Sequence, residues 1–501
     1  MYVRNRRYNW GEILRYNILF FSICMFIIGC FFTSFNVLLW ATCGMLIHNL
    51  CYAIERFSER IIFFAFNCTF FIFLVGRLVV SSITGYEDPW NKNAYGLDFQ
   101  DDKVLMNIGI ILFLSLISLY LGYRSVQRKG LTTNHSKKYS IRMISSVAFV
   151  SKTLFYITYI FNILVLIDKA KFTNTNGYMD LYASYTSSYP GIVVKLAEMC
   201  PTTLFIYLGT MPTKRKSILP LVLYVVSGGI SLLVGQRNNF VLNILIVLVY
   251  LALRNFTDKK EKWFGKKEIV STIVSFPIII LLLNAVSYLR LNDSVNHKSF
   301  FDGVSEFFYA QGVSVNLIGY AQTLGNQLPV GANYTFGRLI DFINNNTVTQ
   351  MLTDIPSYRP QSLESALYGN SFADAVSYIV SPGRYLSGWG YGSSYLAEMF
   401  YDFGYSGVII GSFILGIILS LMVNSFKYSI LGVWMTLSMT RLLLYSPRDT
   451  TMSFFVSTFS LINILAICFV FVAAIILSGL RSTKKTVVTF NSLSESNAKH
   501  M

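Results

Sequence analysis

The sequence predicts an all-α, polytopic integral membrane protein with about twelve transmembrane helices and a large, mostly helical outer loop between helices 9 and 10. Of its 501 residues, 53% are hydrophobic and 13% are charged, and the mean hydropathy is +0.51. A soluble domain of this size would not expose so apolar a surface to water. Apolar runs of about twenty residues, the length that crosses a bilayer as a helix, recur along the chain.

These runs define both the helices and the organisation of the chain. The predicted helices cover residues 14–33, 36–54, 61–81, 104–122, 147–167, 190–211, 218–235, 239–253, 269–288, 404–424, 430–446 and 453–477. We therefore expect helices 1 to 9 within residues 1–288, the outer loop at 289–403, helices 10 to 12 within 404–477, and a tail at 478–501.

Basic residues predict the orientation in the membrane. Lys and Arg are concentrated in the connections that follow even-numbered predicted helices, for example at 124–142 and 254–267. Positively charged connections stay in the cytoplasm, so both termini are expected there. Because the basic residues form short clusters between apolar runs, the net charge of +16 indicates no nucleic-acid partner, and membrane lipids are the expected surroundings.

The N-terminus and the cysteines exclude two other possibilities. Basic residues precede the first apolar run, but no small-residue cleavage site follows it, so we expect helix 1 to be retained. The seven cysteines lie in or beside apolar runs and none forms a CxxC pair. The sequence therefore indicates neither a disulfide framework nor a metal site.

The outer loop at 289–403 is far longer than an ordinary connection, which favours a functional subdomain. Residues 300–324 have an amphipathic pattern, and a second helical stretch is expected at 363–381. Glycines at 383, 388, 390 and 392 then predict a mobile strip before helix 10.

Several arginines occupy positions where a membrane protein usually avoids charge. Arg77 and Arg441 lie inside apolar runs, at a cost of about 2.5 to 3.5 kcal/mol each at the bilayer centre. Further arginines lie at or just outside the predicted outer boundary: Arg237, Arg290, Arg384 and Arg448. A guanidinium pairs with phosphate oxygens through two parallel donors, so a buried diphosphate is the natural ligand of such a group. The alternative for any single arginine is a lipid headgroup or a loop carboxylate.

Two motifs connect this chain to a known family. Residues 393–416 contain the pattern S-x-L-A-E followed by F-G-x-x-G, and Gly235-Gln236-Arg237-Asn238 contains G-x-R. Together with the helix arrangement, they resemble the O-antigen and capsule repeat-unit polymerases, the Wzy-type enzymes of the bacterial cytoplasmic membrane. The resemblance implies that oligosaccharides carried on undecaprenyl diphosphate are joined at the outer face, with the lipid diphosphate as leaving group. It also implies no metal, no other cofactor and no nucleotide sugar, and suggests a flippase and a chain-length regulator as pathway partners.

Such chemistry requires leaving-group stabilisation and a base. Preorganised cations stabilise a leaving diphosphate, and the candidates are Arg237, Arg290, Arg384, Arg441 and Arg448. Glu398 is the first candidate for the base that activates the acceptor hydroxyl, with Asp402 one helical turn away. The alternative for Glu398 is a carboxylate that only stabilises a helix N-terminus. His297 is a weaker candidate for the base.

Tyrosines in the second outer loop are candidate sugar contacts. Tyr178, Tyr182, Tyr185 and Tyr189 follow a spacing of four, three and four residues, which would place them on one helix face. Aromatic rings there can stack on sugars, and the alternative is an interfacial aromatic belt.

Two other functions fit parts of the pattern. A flippase or exporter of lipid-linked oligosaccharide would also need a cation-lined cavity, although the chain shows no two-half repeat. A metal-dependent glycosyltransferase that uses a polyprenyl-phosphate sugar would bind its cation through Asp98, Asp101 and Asp102.

Overall fold

The protein is described by a computed structural model, which is built almost entirely of helices. It describes residues 10–85, 101–128, 138–178, 180–258, 261–265, 268, 270, 274–275, 277, 279, 283, 300–329, 331–353, 355–480 and 487–489. A two-stranded antiparallel sheet pairs β1 (Lys138–Ser140) with β2 (Val487–Thr489). The predicted all-α membrane fold is confirmed.

The helices are numbered in chain order. In order they are α1 (Trp10–Phe31), α2 (Phe35–Ile54), α3 (Phe57–Thr84, with a π-helical turn at Phe71–Val75), α4 (Asp102–Arg128), α5 (Ile141–Asn176), α6 (Asp180–Ala183), α7 (Gly191–Gly209), α8 (Lys214–Leu233), α9 (Arg237–Thr257), α10 (Phe300–Gln311), α11 (Val315–Thr323), α12 (Gly337–Asn344), α13 (Thr347–Leu352), α14 (Leu363–Tyr368), α15 (Phe372–Val380), α16 (Pro382–Leu386), α17 (Tyr395–Ser425), α18 (Ile430–Leu443), α19 (Ser453–Thr458) and α20 (Leu461–Leu480).

Ten segments in the described part of the chain are long and apolar enough to cross a membrane. They are α1 to α5, α7 to α9, α17, and α19 with α20. Each coincides with a predicted span. The predicted span at 430–446 corresponds to α18, which has 14 residues and is largely buried, and the span predicted at 269–288 lies mostly outside the described residues.

The first helices of the long loop predicted at 289–403 pack into the helix bundle. Leu317, Ile318 and Tyr320 of α11 are at most 1% exposed and belong to the main hydrophobic core. The end of α10 lies against α3, where the Arg77 guanidinium sits 3.9 Å from the centre of the Tyr309 ring and donates to the Tyr309 carbonyl. Any side chain at Gly312 would collide with Arg77. Helices thus occur where 300–324 predicted them, but inside the bundle.

Helix α17 reverses its direction at Gly404. That residue has φ +60° and ψ −150°, a combination essentially restricted to glycine. A Cβ on Gly411 would collide with the Met399 sulfur, although residues twelve apart in a straight helix are separated by about 18 Å. Residues 395–403 therefore fold back against 405–425, and the hydroxyls of Tyr395 and Ser412 both lie 2.9 Å from Ser115 Oγ. The reversal places Glu398 inside the bundle.

We expect Gly404→Ala to destabilise the protein by about 1 to 3 kcal/mol, because alanine is strained in this backbone conformation. A Cβ added at Gly404 would point into open space, so the effect would come from the backbone alone. The measurement is the midpoint of thermal unfolding in detergent. Gly479→Ala is the matched control, since a Cβ added at Gly479 would also point into open space and Gly479 lies in a regular helix. Equal midpoints for the two variants would contradict the strain.

Candidate active site

The site is built around the start of α9. Gly235 has φ +83° and ends α8 with a turn in which its N–H bonds the Leu232 carbonyl. This turn explains the glycine of the G-x-R motif, because the left-handed conformation is open mainly to glycine. Arg237, Asn238 and Asn239 then form the first turn of α9, where the helix dipole adds positive potential.

Two hydrogen bonds join this turn to α18 and the segment that follows it. Arg441 Nη2 donates to Asn239 Oδ1 at 2.9 Å, and Asn238 Nδ2 donates to the Tyr445 hydroxyl at 2.6 Å. Arg441 is thereby tied to the helix turn that begins with Arg237.

Arg448 connects the same region to the outer loop. It lies in a 3₁₀ turn at Ser446–Arg448, three residues after Tyr445. Its Nη1 donates to the backbone carbonyl of Gln311 at 3.1 Å and to the Gln311 side-chain oxygen at 3.3 Å. The guanidinium also lies 5.9 Å from the centre of the Phe73 ring. We call Arg237, Arg441 and Arg448 the outer cation group.

Arg441 and Arg448 are held by neutral groups. Within the described part of the chain, no carboxylate forms an ion pair with Arg441 or Arg448. Arg441 Nε is buried and has no hydrogen-bond partner there. A guanidinium whose partners are neutral amides and carbonyls can bind an anion through the donors that these partners do not use.

An apolar cavity of about 580 Å³ opens beside this group. Its polar end contains Arg237, Asn238, Gln311 and Tyr445. Its apolar walls include Phe64, Cys68, Ile72, Phe73, Phe240, Val241, Leu245, Leu248, Ile279, Leu283 and Phe307. Part of the wall is the π-helical turn of α3, and such turns are frequent at functional sites. The cavity thus combines a cationic mouth with a hydrocarbon interior.

Glu398 holds the segment that carries Arg448. Its carboxylate is buried, with the residue 1% exposed, and it accepts the Ser393 hydroxyl at 2.6 Å and the Thr451 N–H at 2.8 Å. Both carboxylate oxygens are therefore engaged, which favours a positioning role in this geometry. Burial also raises the pKa of Asp449 in the same segment, which favours its uncharged form.

Asp402 has a different set of partners on the same folded-back helix. Its carboxylate accepts the backbone N–H of Thr335 at 2.6 Å and that of Tyr334 at 3.4 Å. Asp402, which lies one helical turn from Glu398, thus holds the turn of the outer loop at Tyr334 and Thr335.

Comparison with protein families decides the assignment. A model of the O-antigen polysaccharide polymerase Wzy family matches residues 14–480, from α1 to the end of α20. The chain belongs to this family. No curated protein and no solved structure matches it.

This polymerase joins lipid-linked O-antigen repeat units, as members of the Wzy family do, and it is a multi-pass membrane protein. The family inferred from 393–416 and from G-x-R is confirmed. Both motifs lie at the site: G-x-R forms the turn before α9, and the longer motif forms the reversal that buries Glu398.

Two predicted arginines of the polymerase lie apart from the outer cation group or outside the described residues. Arg290 is outside them. Arg384 is exposed, and its guanidinium lies 5.8 Å from the centre of the Trp389 ring. No contact within the described part of the chain joins Arg384 to the outer cation group.

The tyrosines of the second outer loop do not share one helix face. The helix there, α6, ends at Ala183. Tyr185 instead turns back to α5, where its hydroxyl donates to Asp168 at 2.7 Å; burial and this hydrogen bond raise the pKa of Tyr185 to about 12. The backbone of Tyr182 lies in α6 but its side chain is outside the described residues, and Tyr178 precedes the helix. Sugar binding by these residues stays a prediction.

Sequence reasoning missed the neutral partners that assemble the polymerase site. Asn239, Gln311 and Tyr445 carry no charge and belong to no motif. Asn238 and Asn239 directly follow G-x-R, and this was the one available signal. The contacts of Gln311 and Tyr445 depend on tertiary packing.

Proposed function

We propose that the polymerase transfers an oligosaccharide from undecaprenyl diphosphate to a second lipid-linked repeat unit at the outer cation group, without a metal ion. One observation supports this most directly: Arg237 lines an apolar cavity, and hydrogen bonds to Asn239 and to Gln311 tie Arg441 and Arg448 to the same region. Neither Arg441 nor Arg448 is paired with a described carboxylate. A lipid diphosphate has the matching chemistry, because it joins a hydrocarbon tail to a strong anion.

The proposed step is a substitution at the anomeric carbon of the donor sugar. An oxygen of the acceptor hydroxyl forms a new bond to this carbon while the bond to the diphosphate oxygen breaks. The electron pair leaves with the diphosphate, and the hydroxyl proton passes to a base. The three guanidinium groups stabilise the negative charge that grows on the diphosphate, a role that divalent ions fill elsewhere.

Glu398 is proposed to act through Arg448. By holding the Thr451 N–H, it fixes the turn that aims Arg448 at the site. To serve as the base itself, the carboxylate would have to give up one of its two hydrogen bonds to the acceptor hydroxyl. A positioning role and a role as the base predict different changes in KM, in kcat and in the pH–rate profile.

The site is proposed to face the outer side of the cytoplasmic membrane, with both chain termini in the cytoplasm. The concentration of Lys and Arg in the connections after even-numbered spans supports this orientation. The start of α9 and the outer loop then lie on the same side of the membrane.

The test is polymerisation of a purified undecaprenyl diphosphate repeat unit by the detergent-purified protein in the presence of EDTA. We expect a ladder of products on gels, of the same length and yield with and without EDTA, because the guanidinium groups replace a metal. Loss of the ladder with EDTA and recovery with Mg²⁺ or Mn²⁺ would contradict metal independence. If no ladder forms but the unit crosses liposome membranes, the protein is a flippase.

A further inference from the structure

The apolar cavity extends from the outer cation group along the inner side of α9. Residues 237 to 248 of α9 line it, and at 1.5 Å per residue this face is roughly 17 Å long. Arg237 and Asn238 line it at the start of α9, and hydrocarbon side chains such as Leu245 and Leu248 line it further along the helix. The lining also includes the small polar residues Thr69 and Ser275. The cavity therefore offers a cation to an anionic headgroup and an apolar lining to the hydrocarbon tail of the same lipid.

We infer that this cavity binds the diphosphate-proximal isoprene units of the polyprenyl tail, so that the tail fixes the diphosphate at Arg237. The inference rests on the proposed function and adds a second recognition element to it. The ligand is a polyprenyl diphosphate, and the recognised part is a single unsaturated hydrocarbon chain.

The shape and chemistry of the cavity favour this ligand. Its volume of about 580 Å³ lies within the range of sites that enclose most of a small ligand. The walls are aromatic and branched aliphatic side chains, which match the repeated methyl branches of a prenyl chain. Cations at the mouth also attract phospholipid headgroups, so the experiment must separate these two sources of an anionic lipid.

The first experiment is photocrosslinking, which does not depend on catalysis. Benzoylphenylalanine replaces Leu245 inside the cavity or Ile410 on the exposed surface of α17, where Ile410 is 59% exposed. We expect labelled undecaprenyl diphosphate to crosslink at position 245 and not at 410. Unlabelled undecaprenyl diphosphate should compete, and an equal excess of phosphatidylglycerol or of inorganic diphosphate should not. Equal crosslinking at both positions, or competition by phosphatidylglycerol, would overturn the inference.

The second experiment fills the cavity. We expect Leu245→Trp to raise KM for the lipid-linked donor about tenfold and to change kcat little, while Ile410→Trp leaves both unchanged. Thermal unfolding midpoints show whether each variant folds, and Val241→Trp serves as a second cavity-filling variant. An unchanged KM in both folded cavity variants would refute the inference.

A wild-type ladder without crosslinking at 245 would refute tail binding alone, whereas crosslinking without a ladder would refute the polymerase step alone.

Discussion

Arg441→Ala is expected to lower the rate of chain elongation on the order of 10²- to 10³-fold, the loss seen when one preorganised donor to a developing anion is removed. Arg441 is the member of the outer cation group with a buried, unpartnered Nε, and its position is fixed by Asn239. Arg441→Lys keeps the charge but lacks the planar fork of donors, so we expect only partial activity. The measurement is the initial rate of ladder formation with purified lipid-linked repeat unit.

The control for net charge is Arg359→Ala, which removes the same charge from an exposed position in the outer loop. We expect this variant to elongate at the wild-type rate. If Arg359→Ala and Arg441→Ala slow elongation equally, the effect is one of overall charge and not of the outer cation group. Thermal unfolding of each variant separates a loss of the site from a loss of the fold.

Glu398→Gln should reduce elongation about 10²-fold, because misplacing a catalytic group by about 1 Å has that effect. The amide keeps the volume of the side chain but has one accepting oxygen where the carboxylate has two, so the Thr451 contact is kept only if the Ser393 hydroxyl reverses its role and accepts from the amide. If Glu398 positions Arg448, KM for the lipid-linked donor rises together with the fall in kcat. If Glu398 is instead the base, KM stays constant and the acidic limb of the pH–rate profile disappears.

Asp402→Asn is the matched comparison for Glu398→Gln. The two carboxylates are one helical turn apart, but the partners of Asp402 are backbone N–H groups of the outer loop. An asparagine oxygen can still accept from Thr335, so we expect a loss of less than about tenfold, in keeping with a single weakened hydrogen bond. A loss in Asp402→Asn as large as in Glu398→Gln would show that the two residues act together.

The sequence predicted the membrane fold well because hydropathy is a local property. Every span in the described part of the chain coincides with a predicted apolar run. A local pattern also explains the wrong prediction that the tyrosines share one helix face. The tyrosine spacing after α5 fits a helix, but α6 has only four residues. Tyr185 lies beyond α6 and donates a hydrogen bond to Asp168 of α5, a tertiary contact that a local pattern does not display.

The candidate site was partly accessible from sequence. Charge inside an apolar run is costly, and this argument identified Arg441, while proximity to the outer boundary identified Arg237 and Arg448. It could not show which of the arginines meet, because that depends on Asn239, Tyr445 and Gln311, which have no distinctive local pattern. The F-G-x-x-G motif located Gly404, but the reversal follows from a positive φ that the sequence does not display.

The packing of α10 and α11 has a consequence for engineering polysaccharide specificity. Gln311 holds Arg448, Gly312 lies against Arg77, and α11 belongs to the main core. A chimera that exchanged the whole outer loop with that of a relative would thus replace part of the scaffold along with any sugar contacts. An exchange that begins after Leu328 and ends before Ser393 keeps Gln311, Gly312 and α11 with the donor machinery, but it still replaces core residues such as Tyr334 and Phe372.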